Sequence, residues 1–333
     1  MKIRWFLCVL FIFTSSCGGT LSRDASQDEG NLPLPIEVNG EEKTSSETAE
    51  NQPTNIAATE TLMSAPTAAV QPTAAETLAP SAVQPVDGSF SAIIARTEGG
   101  PNSFVLVGGS QNGGWVSGAE AADLLAGEQD FQLYSATDKL GGQQGQGLVY
   151  EPICGEYFTS FENLPANQSM LGLTGERVAL LRPPQELPVD TEVYMQAVAG
   201  WLVEQMPSQP IVVINKIWRV DIEGDGTDEV FISATRFAES SGHNVEPRDY
   251  SVVLMRKVIG NDVVTVVLVG DHYSEAAENQ FPLTYQLEFV GDLNGDGRME
   301  VVIGVKRWEG SGIMVFEIDG SRAQPVLSVM CSL

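Results

Sequence analysis

"GDLNGDGRMEVVIG", residues 291–304, places oxygen-bearing side chains at Asp292, Asn294 and Asp296, follows them with Gly297, and runs into Val and Ile. The same writing appears earlier as "VDIEGDGTDEVFIS", residues 220–233. Laying 220–237 on 291–308, an offset of 71 residues, matches Asp221 with Asp292, Asp225 with Asp296, Glu229 with Glu300 and Arg236 with Arg307. Gly224, Gly226, Val230 and Ile232 likewise fall on Gly295, Gly297, Val301 and Ile303. Identity in both the loop and the strand after it marks one repeated supersecondary unit.

Around each loop the chain reads strand upon strand. "IVVINKIWRVD" precedes the first, and "EVFISATRF", "YSVVLMRKV" and "VVTVVLVGD" follow it, the last two joined by a hairpin at Gly260-Asn261. The order recurs as "TYQLEFVGD", the second loop, "EVVIGVKRW", "IMVFEID" and "PVLSVMC". Each unit is therefore four-stranded, antiparallel and blade-like. Two blades cannot close a ring, so two arrangements stay open: residues 90–190 complete a partial propeller, or the two units pack face to face like a sandwich. The expected class is mainly β with a few helices.

Calcium is a hard cation that takes six to eight oxygens, and alternate side chains in a tight loop converge on it when Gly permits the reversal. Loop one offers Asp221, Glu223, Asp225, the Thr227 carbonyl and Glu229; loop two offers Asp292, Asn294, Asp296, the Arg298 carbonyl and Glu300. Without a cation, such crowded carboxylates repel one another. An EF-hand would need a bidentate Glu at position 12 followed by a helix, but Ile232 and Ile303 stand there and β-branched residues follow. The plainer alternative is a pair of Asp-Gly turns with no metal.

The residues resemble instead the D-x-[DN]-x-D-G-x-x-[DE] loop between strands of FG-GAP and VCBS-type repeats, found in integrin α-chain propellers and bacterial surface proteins. The resemblance implies side-chain ligands at positions 1, 3, 5 and 9, and two structural calcium ions. It covers about 100 residues, without the FG and GAP signatures themselves, and position 9 carries Glu in both loops where Asp is usual.

The chain has 333 residues and a formal charge of −26. That surplus excludes a nucleic-acid backbone as partner, because counterion release needs clustered Lys and Arg. "MKIRWFLCVLFIFTSSCGGT" opens with Lys2 and Arg4 and nine apolar residues, Trp5 to Phe13. This is too short to span a bilayer and reads as a signal peptide, residues 1–16. Thr14-Ser15-Ser16-Cys17 resembles the lipobox of bacterial lipoproteins, with Thr14 where Leu is usual; the resemblance implies lipidation of Cys17 and a membrane anchor. Plain secretion is the alternative. Residues 17–88 carry Ser, Thr, Pro, Ala and Glu, almost no aromatics, and an internal echo. They cannot bury enough apolar surface to fold, so a disordered linker is expected.

Residues 89–208 read as a small α/β region: strands at 104–109 and 131–136, a short helix at 117–127, "RVALLR" (177–182) as a further strand, and a helix at 191–206. Its inward face should carry Val193, Ala197, Val198, Trp201 and Leu202. Residues 209–333 hold the two repeats. Export permits disulfides, so Cys154 and Cys331 are the candidate pair, free buried thiols being the alternative.

No catalytic constellation stands out. The chain has two histidines, His243 and His272, neither in a nucleophile's context, and "GGSQN" (108–112) lacks the final Gly of G-x-S-x-G. Trp218 and Trp308, beside the acidic loops, read as core; with "NGGW" (112–115) they are also the only hint of sugar stacking. The function expected is a lipid-anchored, cell-surface, calcium-stabilised β-repeat module with a structural or binding role toward a protein or glycan ligand. The alternatives are an exported polysaccharide-acting hydrolase and a secreted carbohydrate-binding module.

Overall fold

A computed structural model describes residues 90–97, 103–166, 168–206, 210–238 and 243–332, all within one compact unit, Ala74–Leu333. The expected signal peptide, Cys17 and linker lie outside the described residues. The chain is mainly β with antiparallel sheets, as the periodicity implied.

The N-terminal part contributes β1 (Ser91–Arg96), β2 (Phe104–Gln111), β3 (Gly114–Ser117), α1 (Gly118–Leu124), β4 (Gln129–Tyr134), β5 (Lys139–Gly145), β6 (Val149–Glu151), β7 (Glu156–Thr159) and β8 (Met170–Thr174). They form an eight-stranded sheet in the order β5-β4-β8-β1-β2-β7-β6, with β3 paired to β2. The region is thus more β than the expected small α/β unit. The Gly- and Gln-rich β5 (KLGGQQG) carries no apolar alternation, so no periodic signal marks it. Helix α1 starts at Ser117 because its hydroxyl and Glu120 form a capping box.

The first repeat supplies β10 (Ile214–Val220), β11 (Glu229–Arg236), β12 (Asp249–Ile259) and β13 (Asp262–Tyr273), ordered as a meander with the two-residue β9 (Gln185–Glu186) on the far edge. The second supplies β14 (Thr284–Gly291), β15 (Glu300–Arg307), β16 (Gly310–Asp319) and β17 (Arg322–Ser332), a four-stranded meander. The registers agree: Val220 faces Glu229 as Gly291 faces Glu300.

The three sheets stack, and the clusters of buried side chains show the order. Trp218, Phe231, Val253 and Met255 from the first repeat share one core with Leu287, Val301, Ile303 and Phe316 from the second. On the second repeat's other face, Phe289, Val302, Val315 and Leu327 meet Ile93, Val107, Tyr134 and Leu173 of the N-terminal sheet. The middle sheet is therefore covered on both sides, which is why β15 (EVVIGV) is buried at six consecutive positions. Strand β16 alternates between the two cores, Ile313 and Val315 facing the N-terminal sheet while Met314, Phe316 and Ile318 face the first repeat.

Helix α2 (Glu192–Gln205) caps the outer face of the first repeat with Ala197, Val198 and Leu202 against Ile217, Ile232 and Tyr250. Val193, expected on that face, is 48% exposed; it lies in the first turn, ahead of the residues that pack. Residues 177–182, expected as a strand, are not one. They are a strap held between Tyr134, whose hydroxyl donates to the Arg177 carbonyl at 2.9 Å, and the acidic loops, where the Ala179 carbonyl accepts the Asp292 N–H at 2.8 Å. A disulfide between Cys154 and Cys331 ties the turn after β6 to β17.

Candidate functional site

Both acidic loops build themselves from the same hydrogen bonds. In loop one, Asp221 Oδ1 accepts the Gly224 N–H at 2.6 Å and Oδ2 accepts that of Gly226 at 2.9 Å. In loop two, Asp292 takes Gly295 at 2.6 Å and Gly297 at 3.0 Å in the same way. These four glycines have φ between 75° and 87°, a region costly for a residue with a Cβ. Asp225 and Asp296 accept the N–H two residues on, from Thr227 and Arg298, at 2.8 Å each. Glu229 accepts the Ile222 N–H at 3.1 Å, and Glu300 that of Leu293 at 2.7 Å. The repeat in sequence is a repeat in geometry.

The two loops also touch. Met299 N–H donates to the Ile222 carbonyl at 2.9 Å, and Arg298 reaches from loop two to Glu223 Oε1 at 2.7 Å and the Ile318 carbonyl at 2.7 Å. The strap runs alongside both. Arg182 donates to the Ile222 carbonyl at 3.0 Å, the Gly297 carbonyl at 3.1 Å and the Asp221 carbonyl. Arg177 donates to the Leu293 carbonyl at 3.2 Å and to Ser110 Oγ. Each arginine thus serves the second carbonyl of one loop, and each lies over that loop's first glycine. A Cβ on Gly224 would come within 3.0 Å of Arg182, and one on Gly295 within 3.3 Å of Arg177. Ser110, read from sequence as part of a failed nucleophile motif, is buried support for loop two.

The loops differ in how their charge is met. Lys257 Nζ sits 2.6 Å from Glu223 Oε2 and 3.2 Å from Glu229 Oε1, with Lys257 side-chain exposure only 7%. Register gives its counterpart. Val230 pairs with Arg256 and Val301 with Phe316, so the next residue along, Lys257, corresponds to Glu317. The hairpin ends agree: Ile259 faces Asp262 and Asp319 faces Arg322, each two residues beyond. Where repeat one has an ammonium, repeat two has another carboxylate. Glu317 Oε1 accepts the Trp115 indole N–H at 2.7 Å and faces the Asn294 amide nitrogen at 3.4 Å.

The electrostatics follow. Burial pushes the Glu300 carboxyl up to about 9, and the charges of Asp296, Asp292 and Glu317 push the same way, opposed only by the Leu293 N–H. Burial also raises Asp292, against the Gly295 and Gly297 N–H groups. Burial raises Glu229 too and outweighs the Ile222 N–H and Lys257, which pull the other way. Near loop two the compensating cation is Arg177, whose own ionisation burial disfavours and Asp292 and Glu300 favour.

Among the described residues, no three His, Cys, Asp or Glu side chains are gathered as a ready metal cage. In loop one Glu223 turns away to Lys257 and Arg298, so its donors do not fit an ion. Loop two fits better: its position-3 residue is Asn294, its position-5 carboxylate, Asp296, is exposed, and its buried Glu300 lacks a lysine. The residues missed from sequence are Arg177, Arg182, Lys257, Glu317 and Trp115. Aligning the repeats backward from the hairpins at Gly260 and Gly320 would have paired Lys257 with Glu317.

The other candidates scatter. Trp218 is buried as expected, whereas Trp308 is 50% exposed, because β15 ends at Arg307 and leaves it on the turn. His243 stands edge-on to Trp308 with ring centroids 3.9 Å apart, and His272 packs against Trp201. A cavity of about 680 Å³ opens beside Trp308, walled by Arg96, Val149, Ile153, Phe158 and Arg307. Compared with protein-family models, with curated proteins and with solved structures, the chain matches none.

Proposed function

We propose that the chain is a lipid-anchored, cell-surface module of FG-GAP/VCBS-like blades, in which calcium at an acidic loop holds stacked sheets together for a structural or binding role. One observation carries it: the charges of Asp292, Asp296 and Glu317 all bear on the buried Glu300 at the junction of the sheets, with Asn294 beside them and the buried Arg177 as counter-charge. Asp292, Asn294, Asp296, Glu300 and the Arg298 carbonyl would hold the ion. Bound there, calcium would supply the positive charge that the crowded carboxylates need, and the loop would become a staple. Extracellular modules of this kind bind at ~10⁻⁴–10⁻³ M, so the site would be filled outside the cell.

The anchor rests on the N-terminal sequence and Cys17. No helix among the described residues is long and apolar enough to cross a membrane. Calorimetric titration of calcium into chelator-treated protein tests the first part; no heat and no rise in melting temperature at millimolar calcium would refute it. Radiolabelled palmitate incorporation, lost in Cys17→Ala, tests the second.

A second reading has one observation in its favour. The exposed Trp308 at the mouth of a cavity suits a glycan ring stacked on its face. Quenching of tryptophan fluorescence by soluble glycans, abolished in Trp308→Ala, would support a carbohydrate-binding role.

A further inference from the structure

The family resemblance implies an ion in each loop, and the two loops share every backbone hydrogen bond described above. Their charge environments are nevertheless opposite. We infer that loop one takes no calcium, because Lys257 is its resident cation, and that the chain binds a single divalent ion. The second half rests on the calcium reading of loop two; the first stands on geometry alone.

Three observations carry it. Lys257 Nζ bridges Glu223 at 2.6 Å and Glu229 at 3.2 Å, the residues that the loop pattern assigns to positions 3 and 9. Glu223 spends its other oxygen on Arg298 at 2.7 Å, so both of its oxygens are engaged with cations outside the loop. Of the loop's assigned side chains only Asp221 and the exposed Asp225 remain for an ion, whereas loop two, whose Asp292 holds the same N–H groups, keeps Asn294 and Glu300 as well.

Calcium could enter only by expelling the ammonium. Lys257 lies on β12 in a sheet covered by α2 on one side and the second repeat on the other, and its side chain is nearly closed off from water. Expelled from its carboxylates, it would be a buried cation without a partner, the state that breaking a buried pair makes costly. A divalent ion brought close to it would add repulsion at short range. In repeat two the matching position is Glu317, which removes both obstacles and adds an anion.

Lysine also does structurally what the ion would do. It links the loop's third and ninth positions, and through Glu223 and Arg298 it ties loop one to loop two. Loop one is then a permanent staple, independent of calcium, and loop two the conditional one.

The test is calcium titration by calorimetry on the full chain, purified in detergent and stripped with chelator, beside its Asp225→Ala, Asp296→Ala and Lys257→Met variants. The expected result is one ion per chain in the wild type, none in Asp296→Ala, and an unchanged count and an affinity within about twofold in Asp225→Ala. Two ions in the wild type, or a count lowered by Asp225→Ala, would overturn the inference and leave the calcium reading standing. No binding in the wild type would instead remove the calcium reading of loop two. The inference would then be decided by Lys257→Met. A calcium-dependent rise in its melting temperature, absent from the wild type, supports lysine as the substitute ion; indifference to calcium overturns it.

Discussion

Loops one and two share a backbone pattern and differ in the charges set around it, Glu223 against Asn294 within the loop and Lys257 against Glu317 beside it. Both wrap an aspartate around glycine N–H groups, close on a glutamate and seat an arginine from the 177–182 strap. On the neighbouring strand, one has Lys257 and the other Glu317. The lesson is that a ligand pattern in a loop specifies a shape, while the strand beside it specifies whether the shape needs an ion. A carboxylate cluster requires a positive charge, but a lysine from within the fold serves as well as a metal from outside.

The largest way to break this comparison is to delete the internal cation. Lys257→Ala leaves Glu229 buried beside Glu223 without their ammonium, and should destabilise the protein by about 3–5 kcal/mol in urea denaturation. The Glu317→Ala change at the equivalent position should cost far less, because it removes a like charge. If the two variants lose similar stability, the asymmetry is wrong.

Next in size is the external cation. At a calcium concentration a hundredfold above its dissociation constant, binding to the folded state alone stabilises by ~2.7 kcal/mol. For a head of this size that corresponds to a melting shift of roughly 5–10 °C. Asp296→Ala should abolish the shift, whereas Asp225→Ala should preserve it.

A third effect sharpens the contrast through pH. In chelator-treated protein the folded Glu300 titrates at about 9 against an ordinary 4.5, so between those values the folded state holds a proton that the unfolded state has released. Its contribution to stability is therefore full below about 4.5 and lost as pH rises through 9. The melting temperature of the metal-free protein should fall by several degrees from pH 6 to pH 9. Glu300→Gln should flatten that slope, and so should saturating calcium.

The smallest effect concerns Trp115, whose indole N–H fixes Glu317 at 2.7 Å. Trp115→Phe should cost about 1.5 kcal/mol, the low end for a hydrogen bond to a charged acceptor. It should also weaken calcium binding several-fold through a freer Glu317. A variant with unchanged affinity would place Glu317 outside the ion's influence.

Much of the repeat architecture was legible because its signals are local. Asp, Gly and a β-branched run at the same spacing force a turn followed by a strand wherever they occur, and the Gly260-Asn261 hairpin follows from turn chemistry. The strap was misread for an equally physical reason. "RVALLR" has strand-like residues, but Ala179 and Leu180 are drawn toward the core between sheets while Arg177 and Arg182 satisfy loop carbonyls. Among the described residues its backbone bond to the second repeat, Asp292 N–H to the Ala179 carbonyl at 2.8 Å, builds no ladder. Periodicity records which residues seek burial, and says nothing of what backbone will be available as a partner. Strand β5 was missed in the opposite sense: it is held by pairing to β4 with no apolar face of its own.

The amino-acid sequence alone determined two four-stranded units, their oxygen-rich corners and the acidic surface, since each depends on residues close together along the chain. The tertiary structure alone decided that three sheets stack with the second repeat in the middle. It also decided that Lys257, 28 residues beyond Glu229, returns to lie against it, and that Glu317 takes the matching place in the second unit. Coulomb energy depends on distance through space, and strand pairing sets that distance.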